Sequence, residues 1–367
     1  MVEAYRKVLV YNFGLAGGAG ANVARISTFV AKNGFEVHLY YSRSDLATEL
    51  LIGNQVKSIR LKKNRNWKVI SSLAKAIATG NYNLVFVSGG TNAIVLVLAM
   101  KIARKEIPLI IRESNSPRGL LSESSGVVRK IKSYLTSWVY TKAKRIICVS
   151  ADMKEELHRL WGVPKENLEL VYNGVDLSSI TQRLEGDRVR RKEGEAHTLL
   201  TVGRLTSQKD HRTLLHAFAQ LERFENCRLI IVGSGVEGKS LRLLAQRLGI
   251  VRRVKFAGFC LDPTKYYRES DLFIMSSRFE GFPNVLIEAM AHGLPIVSTD
   301  CPTGPREILN SECFGRLVSV NDPTAMARAI ESVLLHPPCK ENIIERARAF
   351  SMDIQLNKYL KIFQSIK

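Results

Sequence analysis

The chain has 367 residues, 46% of them hydrophobic, enough for two domains with full cores and too long for a single compact unit. Its most apolar run, Ala93 to Met100, ends at Lys101, well short of the ~20 residues of a bilayer crossing. Six scattered cysteines with no C-x-x-C pair argue against zinc and against a disulfide framework. The start, MVEAYRKVLVYN, lacks the long apolar region and small-residue cleavage site of a secretion signal, so a soluble, unprocessed, cytoplasmic chain is expected. With 54 Lys and Arg against 34 Asp and Glu the net charge is +20, which calls for an anionic partner: nucleic acid, membrane or phosphorylated small molecules.

In chain order, the first apolar run is KVLVYN (7–12), which enters the glycine-rich FGLAGGAGANVARISTFV. Gly17, Gly18 and Gly20 let a ligand approach the backbone at a helix start, although a structural turn accounts for them equally well. The spacing is not G-x-G-x-x-G, and Glu36 precedes its strand instead of ending it, which argues against a dinucleotide site and an NAD-dependent oxidoreductase. EVHLYY (36–41) follows, then RLKKNRNWK (60–68), five basic residues in nine with Trp67 among them. NLVFVS (83–88) and PLIIR (108–112) are the next strands; Arg112, Glu113, Ser114 and Asn115 close the second. Glu113 is either an acceptor-side base or a strand-end carboxylate paired with Arg112.

Val127, Ile131, Tyr134, Leu135 and Trp138 recur at helical spacing beside Arg129, Lys130, Lys132, Lys142, Lys144 and Arg145. A basic stretch with an apolar stripe and a Trp suits an anionic bilayer surface; a core-facing helix with a solvated basic face is the alternative. Nucleic acid is disfavoured, since no aromatic-basic RNA signature, zinc finger or helix-turn-helix is present. RIICVS (145–150) ends the first strand series, and a charged break without a buried run separates Ser178 from His197. The second series is LLTVG (199–203), RLIIVG (228–233), VKFAGF (254–259), DLFIMSS (271–277) and PIVST (295–299). Apolar runs alternating with helical patterns predict an α/β protein of two doubly wound parallel-sheet domains, with ligands outside the carboxyl ends of the strands. The expected boundaries are 1–180, a linker at 181–196, 197–342, and helices at 343–367 packing back across the domains.

Two places carry chemistry. TVGRLTSQKD (201–210) sets Arg204 and Lys209 in a loop after a strand, placed to neutralise a diphosphate. SRFEGFPNVLIEAMAHGLP (277–295) sets Glu280 before a helix and Glu288 within it, with Pro283 in the first turn and Gly293 at the end. Carboxylates beside a helix start suit sugar hydroxyls, because a carboxylate accepts two hydrogen bonds from a vicinal diol while helix N–H groups hold phosphate. Taken alone, each glutamate is better explained as an acid favoured near a helix N-terminus, and the two cations as surface charges of a strongly basic chain. No D-x-D pair is present to hold a metal, so fixed cations are the expected device for the leaving diphosphate. The seven histidines form no metal-like cluster in the sequence.

Gly203-Arg204-Leu205 with Lys209, RLIIVGSGVE (228–237), the E-x7-E pair in EGFPNVLIE, YNGVD (172–176) and FGRLVSVNDPTAMARAI (314–330) together resemble the retaining glycosyltransferases of the GT-B fold, family 4. The resemblance spans nearly the whole chain, and DCPTGPREIL (300–309) is similar to the subset that builds surface polysaccharides and lipid-linked oligosaccharides. It implies a GT-B fold of two Rossmann-like domains and a metal-independent transfer of a hexose or N-acetylhexosamine from a nucleotide-sugar, UDP-linked, with no cofactor. The acceptor it implies is a polyprenyl-linked or lipid-anchored glycan at the inner face of the plasma membrane. Carried over to this chain, the catalytic set is Glu280, Arg204 and Lys209. Arg204 and Lys209 hold the diphosphate, Glu288 the ribose, and Glu280 with Gly281, Phe282, Pro283, Asn284 and Val285 the sugar and phosphate. Gly258 and Phe259 lie by the base, and Gly17 and Gly18 close over donor and acceptor. Many relatives carry a histidine where this chain has IIRESNSPRG (110–119); either Ser114 or Asn115 replaces that contact, or the acceptor is handled differently. A GT-B nucleotide-sugar epimerase and a non-catalytic nucleotide-sugar or membrane-binding module are the rivals.

Overall fold

The computed structural model describes residues 6–366 except 62–65, 115–125, 178–195, 222, 223 and 225. The chain divides into two units, Met1–Gly174 with Asp353–Lys367, and Val175–Met352. The charged break predicted between Ser178 and His197, and Asn115, fall outside the described residues.

The first unit is built on seven parallel strands: β1 (Arg6–Leu15), β2 (Phe35–Ser44), β3 (Val56–Arg60), β4 (Leu84–Ser88), β5 (Leu109–Glu113), β6 (Arg145–Cys148) and β7 (Leu168–Leu170). Their spatial order is β3-β2-β1-β4-β5-β6-β7, so the direction of winding reverses between β1 and β4. Right-handed crossovers then put the helices Asn66–Gly80, Gly90–Ile102, Gly126–Tyr140 and Ala151–Trp161 on one face and Gly17–Lys32 on the other. The end of the chain also belongs to this unit. In the helix Met352–Ser365, the Phe363 ring lies 5.3 Å from Phe86 and 6.2 Å from Phe35, and the Arg6 guanidinium donates to the Ile366 carbonyl at 2.7 Å. The helix Lys340–Arg348 stays with the second unit.

Arg112 and Glu113 are neighbours on β5, and strand geometry sends their side chains to opposite faces. Arg112, fully buried, donates to Tyr359 Oη on the terminal helix (3.0 Å), to Ser88 Oγ (3.2 Å) and to Asn173 Oδ1. Glu113, also buried, accepts from Tyr140 Oη at 2.9 Å and from the Gly90 N–H at 3.2 Å. The expected Arg112–Glu113 pairing is therefore replaced by separate partners on the two faces. Glu113 is bound to the start of one helix and the end of another, which suits a structural carboxylate more than an acceptor-side base.

The second unit repeats the plan with six parallel strands: β8 (Thr198–Val202), β9 (Arg228–Val232), β10 (Val254–Gly258), β11 (Leu272–Met275), β12 (Ile296–Thr299) and β13 (Gly315–Val318). The order is β10-β9-β8-β11-β12-β13, and the reversal falls between β8 and β11. One core gathers Leu199, Leu229, Ile231, Leu272, Ile274 and Val297 of the sheet with Leu214, Phe218 and Leu241 of the helices. Every strand run predicted from the sequence is present. The three runs it did not supply, β3, β7 and β13, are edge strands with half-exposed faces, so they lack the continuous apolar run that marks a buried strand.

Candidate functional site

In a doubly wound sheet, ligands sit outside the carboxyl ends of the strands where the winding reverses, because the two flanking loops turn away from each other there. In the second unit that point is flanked by the loop after β8, which carries Arg204 and Lys209, and the loop after β11, which carries Glu280. The topology therefore brings the two predicted clusters together. Lys209 Nζ lies 2.6 Å from Glu280 Oε1, with the side chains 15% and 8% exposed, and Ser277 Oγ donates to the same oxygen at 2.6 Å. The Glu280 N–H donates to the Pro302 carbonyl, and the single proton of Thr303 Oγ1 is shared between the carbonyls of Glu280 and Gly281, each 2.8 Å away.

The two loops are also stitched by groups that the sequence did not single out. The Arg278 N–H donates to the Gln208 carbonyl at 2.8 Å, Gln208 Nε2 to the Phe279 carbonyl at 3.0 Å, and Ser276 Oγ to the Lys209 carbonyl at 2.9 Å. Gln208 also accepts from Arg204, at 3.3 Å. Asp210, buried and left-handed at φ 42°, pairs with Arg278 at 3.2 Å and accepts from Thr213 Oγ1. Ser276, Ser277 and Arg278 precede Glu280 directly, so their proximity is legible in the sequence; their bonding across to 208–210 is tertiary.

The helix after Glu280 runs Asn284–Ala291, with Pro283 one residue outside it and not in the first turn as expected. It ends as predicted at Gly293, φ +70°, where the Leu294 N–H reaches the Ala289 carbonyl and the Gly293 N–H that of Met290. Gly281, Phe282 and Pro283 are buried, and Phe282 packs on Phe350 (5.6 Å). Asn284 and Val285 are half-buried, and Asn284 Oδ1 has no hydrogen-bond partner. Glu288 is half-buried and accepts from Tyr267 Oη at 2.9 Å. Phe259 is exposed beside Gly258, which takes φ +77°. Cys301 is buried, and burial followed by the Glu280 charge pushes its thiol up to about 12, so it is an inert thiol.

The glycines of RLIIVGSGVE hold this site from behind. A Cβ on Gly233 would lie 1.9 Å from the Gly203 carbonyl oxygen, and one on Gly235 2.3 Å from that of Leu205. They let the 233–237 loop lie flush against Gly203–Leu205, which positions Arg204 by backbone contact alone.

His211, next to Asp210, is fully buried. Burial, then the Lys209 charge, lowers its pKa from 6.5 to about 4. The unfolded chain therefore binds the proton between those values while the folded chain does not, so the stability is fully present above pH 6.5 and lost as pH falls through the window. Between pH 7 and 4.5 the wild type is expected to lose about 2–3 kcal/mol more than His211→Gln. Urea unfolding at both pH values checks this, and equal losses would remove His211 as the cause.

In the first unit, the winding reverses beside the glycine-rich loop. Gly17 and Gly18 are exposed, and a Cβ on either would meet open space; Gly17 needs its φ of +63°, and its N–H donates to Asp45 Oδ2 at 3.2 Å. Gly20 has a different task, since its Cβ would come within 2.7 Å of the Leu15 backbone, so it seats the helix on β1. Ser114 is half-buried, and its N–H bonds Glu113 Oε1 at 3.1 Å. Among the described residues no group of three or more His, Cys, Asp or Glu is placed to hold a metal ion, and no helix is long and apolar enough to cross a membrane.

Comparison with known proteins matches the two halves of the chain separately. Residues 16–179 match Glycosyltransferase Family 4, and residues 182–350 match Glycosyl transferases group 1. The chain is 28% identical over 355 residues, 94% of each protein, to the N-acetylgalactosamine-N,N'-diacetylbacillosaminyl-diphospho-undecaprenol 4-alpha-N-acetylgalactosaminyltransferase of Campylobacter jejuni. It is 26% identical over 373 residues, 98% of this chain and 99% of the other, to the lipopolysaccharide core biosynthesis glycosyltransferase LpsE of Rhizobium meliloti. Among solved structures, HepE of Anabaena in complex with UDP superposes with a TM-score of 0.78 at 20% identity, covering 98% of this chain and 100% of that one. The lipopolysaccharide outer core galactosyltransferase WaaB gives 0.77 at 19% identity, over 98% and 99%. The twin parallel sheets, the two family matches and these relatives together make the chain a glycosyltransferase of the GT-B fold, of the family 4 type.

Proposed function

We propose that this glycosyltransferase is retaining and metal-independent, and that it moves a hexose or N-acetylhexosamine from a UDP-linked donor to a lipid-anchored glycan of a cell-surface polysaccharide. The observation that carries the reading is the Lys209–Glu280 pair at the β8/β11 reversal, with Arg204 on the same loop as Lys209 and Glu288 two turns along the following chain. In this reading Arg204 and Lys209 take the charge that develops on the departing diphosphate, as fixed cations that need no reorganisation during the step. Lys209 exchanges its carboxylate partner for phosphate oxygens, which leaves Glu280 to accept from hydroxyls of the transferred sugar. Glu288 accepts from the ribose diol. With cations on the phosphates, the leaving diphosphate helps to deprotonate the acceptor on the front face, and the product keeps its anomeric configuration.

The relative from Campylobacter is named for an undecaprenol-linked acceptor, and others for lipopolysaccharide core and amylovoran. These names support a lipid-anchored glycan here. A place on the cytoplasmic face of an anionic membrane is supported by the helix Gly126–Tyr140, where Val127, Ile131 and Tyr134 are exposed at helical spacing. No acidic residue occurs from 126 to 151, while six Lys or Arg do.

The test is a panel of UDP-, GDP- and ADP-sugars, read by stabilisation against heating and by slow release of free nucleotide. One UDP-sugar is expected to stabilise the protein and be hydrolysed, with a rate unchanged by EDTA. No stabilisation by any donor overturns the reading. Conversion of UDP-N-acetylglucosamine to its epimer without an acceptor would favour the epimerase instead.

A further inference from the structure

We propose that Tyr267 positions the Glu288 carboxylate and thereby makes the donor site select a ribose over a 2′-deoxyribose. The inference rests on the reading of Glu288 as the ribose anchor. Tyr267 lies on the short helix Thr264–Arg268, between β10 and β11, and is 2% exposed. Its ring packs on Phe273 at 5.9 Å and stacks on His292 at 5.1 Å with the planes 17° apart. His292 Nδ1 in turn lies 2.8 Å from the Glu288 carbonyl oxygen, one turn back on the helix that carries the glutamate. The phenol is thus packed between its own helix, a ring on β11 and a ring at the end of the helix that carries the glutamate.

From that position Tyr267 Oη donates to Glu288 Oε2 at 2.9 Å. Burial first, and the Glu288 charge second, push the phenol well above its ordinary value, so it stays protonated across the working range and always acts as the donor. A glutamate side chain has three rotatable bonds, and its terminal torsion is broad, so a half-buried carboxylate presents no fixed plane by itself. Binding both hydroxyls of a vicinal diol requires such a plane, because the two acceptor directions must match two donors on adjacent carbons. A hydrogen bond from a buried donor to one oxygen fixes it and leaves that oxygen's second lone pair in place. A 2′-deoxyribose offers one hydroxyl where the held carboxylate is set for two, so the fixed plane gives the site its preference.

A simpler account makes Glu288 merely the acceptor that a buried phenol needs, with no consequence for the ligand. The two differ in what Tyr267→Phe does, since this change removes one oxygen and conserves the ring. The full-length wild type, Tyr267→Phe, Glu288→Gln and the double variant are titrated calorimetrically with UDP and 2′-deoxy-UDP, and in parallel with the ADP and GDP pairs. In the wild type the ribonucleotide is expected to bind about ten-fold more tightly than its deoxy form, the size of one charge-assisted hydrogen bond. Tyr267→Phe is expected to weaken the ribonucleotide about ten-fold and leave the deoxy form unchanged, and to add nothing on top of Glu288→Gln.

Equal weakening of both sugars would show a structural role and overturn the positioning, as would an unchanged preference. Glu288→Gln with unchanged ribose preference would overturn it as well, whether or not Tyr267→Phe folds. Failure of the underlying reading has its own signature. A wild type that binds none of the three ribonucleoside diphosphates, or binds ribo and deoxy forms alike, removes the ribose anchor and the proposal with it.

Discussion

Lys209→Met is expected to lower kcat/KM by about a thousand-fold or more, the scale seen when a preorganised charge facing a developing anion is removed. The same change should also cost about 3–5 kcal/mol of stability, because it leaves the Glu280 carboxylate buried at 8% exposure with its cation gone. The two effects have different remedies, which is what makes the experiment informative. In Lys209→Met with Glu280→Gln the buried charge is removed on both sides, and Ser277 Oγ can still donate to the amide oxygen, so stability should return while transfer stays absent. Urea unfolding and product formation on the wild type, Lys209→Met, Glu280→Gln and the double variant separate the two. Near-normal turnover in the single variant would take Lys209 out of the mechanism altogether.

Gly233→Ala is expected to be as damaging without touching a charged group. The backbone there sits at φ +142°, outside what a residue with a side chain adopts readily, and the new methyl would lie 1.9 Å from the Gly203 carbonyl oxygen. Because the Gly203 N–H bonds the Val232 carbonyl and the Gly233 N–H that of Gly258, the clash cannot be relieved without opening the carboxyl ends of β8, β9 and β10 together. A loss of about 3 kcal/mol or more is expected, with donor affinity falling because the displaced segment carries Arg204. Gly17→Ala is the matched control. It has a left-handed φ of +63° but open space around the added carbon, so about 1 kcal/mol is expected. Comparable losses in the two variants, read by thermal unfolding, would show that backbone strain and not the contact with Gly203 governs the site.

How much of this was open to reading in the sequence depended on distance along the chain. The strands that are buried on both faces carry short runs dominated by Val, Ile, Leu and Phe, so β1, β4, β5, β8 and β11 declare themselves. Edge strands such as β3, VKSIR, have a polar exposed face and read as loop. Glu280 and Glu288 fell on the expected sides of the helix start because Pro283 and Gly293 mark its ends through local backbone chemistry. Tyr267, Gln208 and Thr303 carry no such mark. Each reaches its partner across 21 or more residues by way of the sheet topology, and nothing near Tyr267 in the sequence points to Glu288. The Arg112–Glu113 pair shows the converse. Adjacency in the sequence suggested contact, and the two-residue period of a strand forbade it.

The terminal helix sets an order of events during synthesis. The polypeptide leaves the first unit after Gly174 and rejoins it at Asp353. At the point of departure and return, the Val175 N–H bonds the Phe350 carbonyl, and the Met352 N–H bonds that of Val175, so the second unit is closed at its own neck. A ribosome adding about 5–20 residues per second needs roughly 10–35 s to cross it. For that time Phe35 and Phe86 wait without the Phe363 ring that covers them, and the second unit has its last strand, β13, before the terminal helix is made. The half made first is thus the half finished last, and an apolar face of the nascent chain stands open in the interval, which makes it the natural target for a chaperone that holds unfinished proteins.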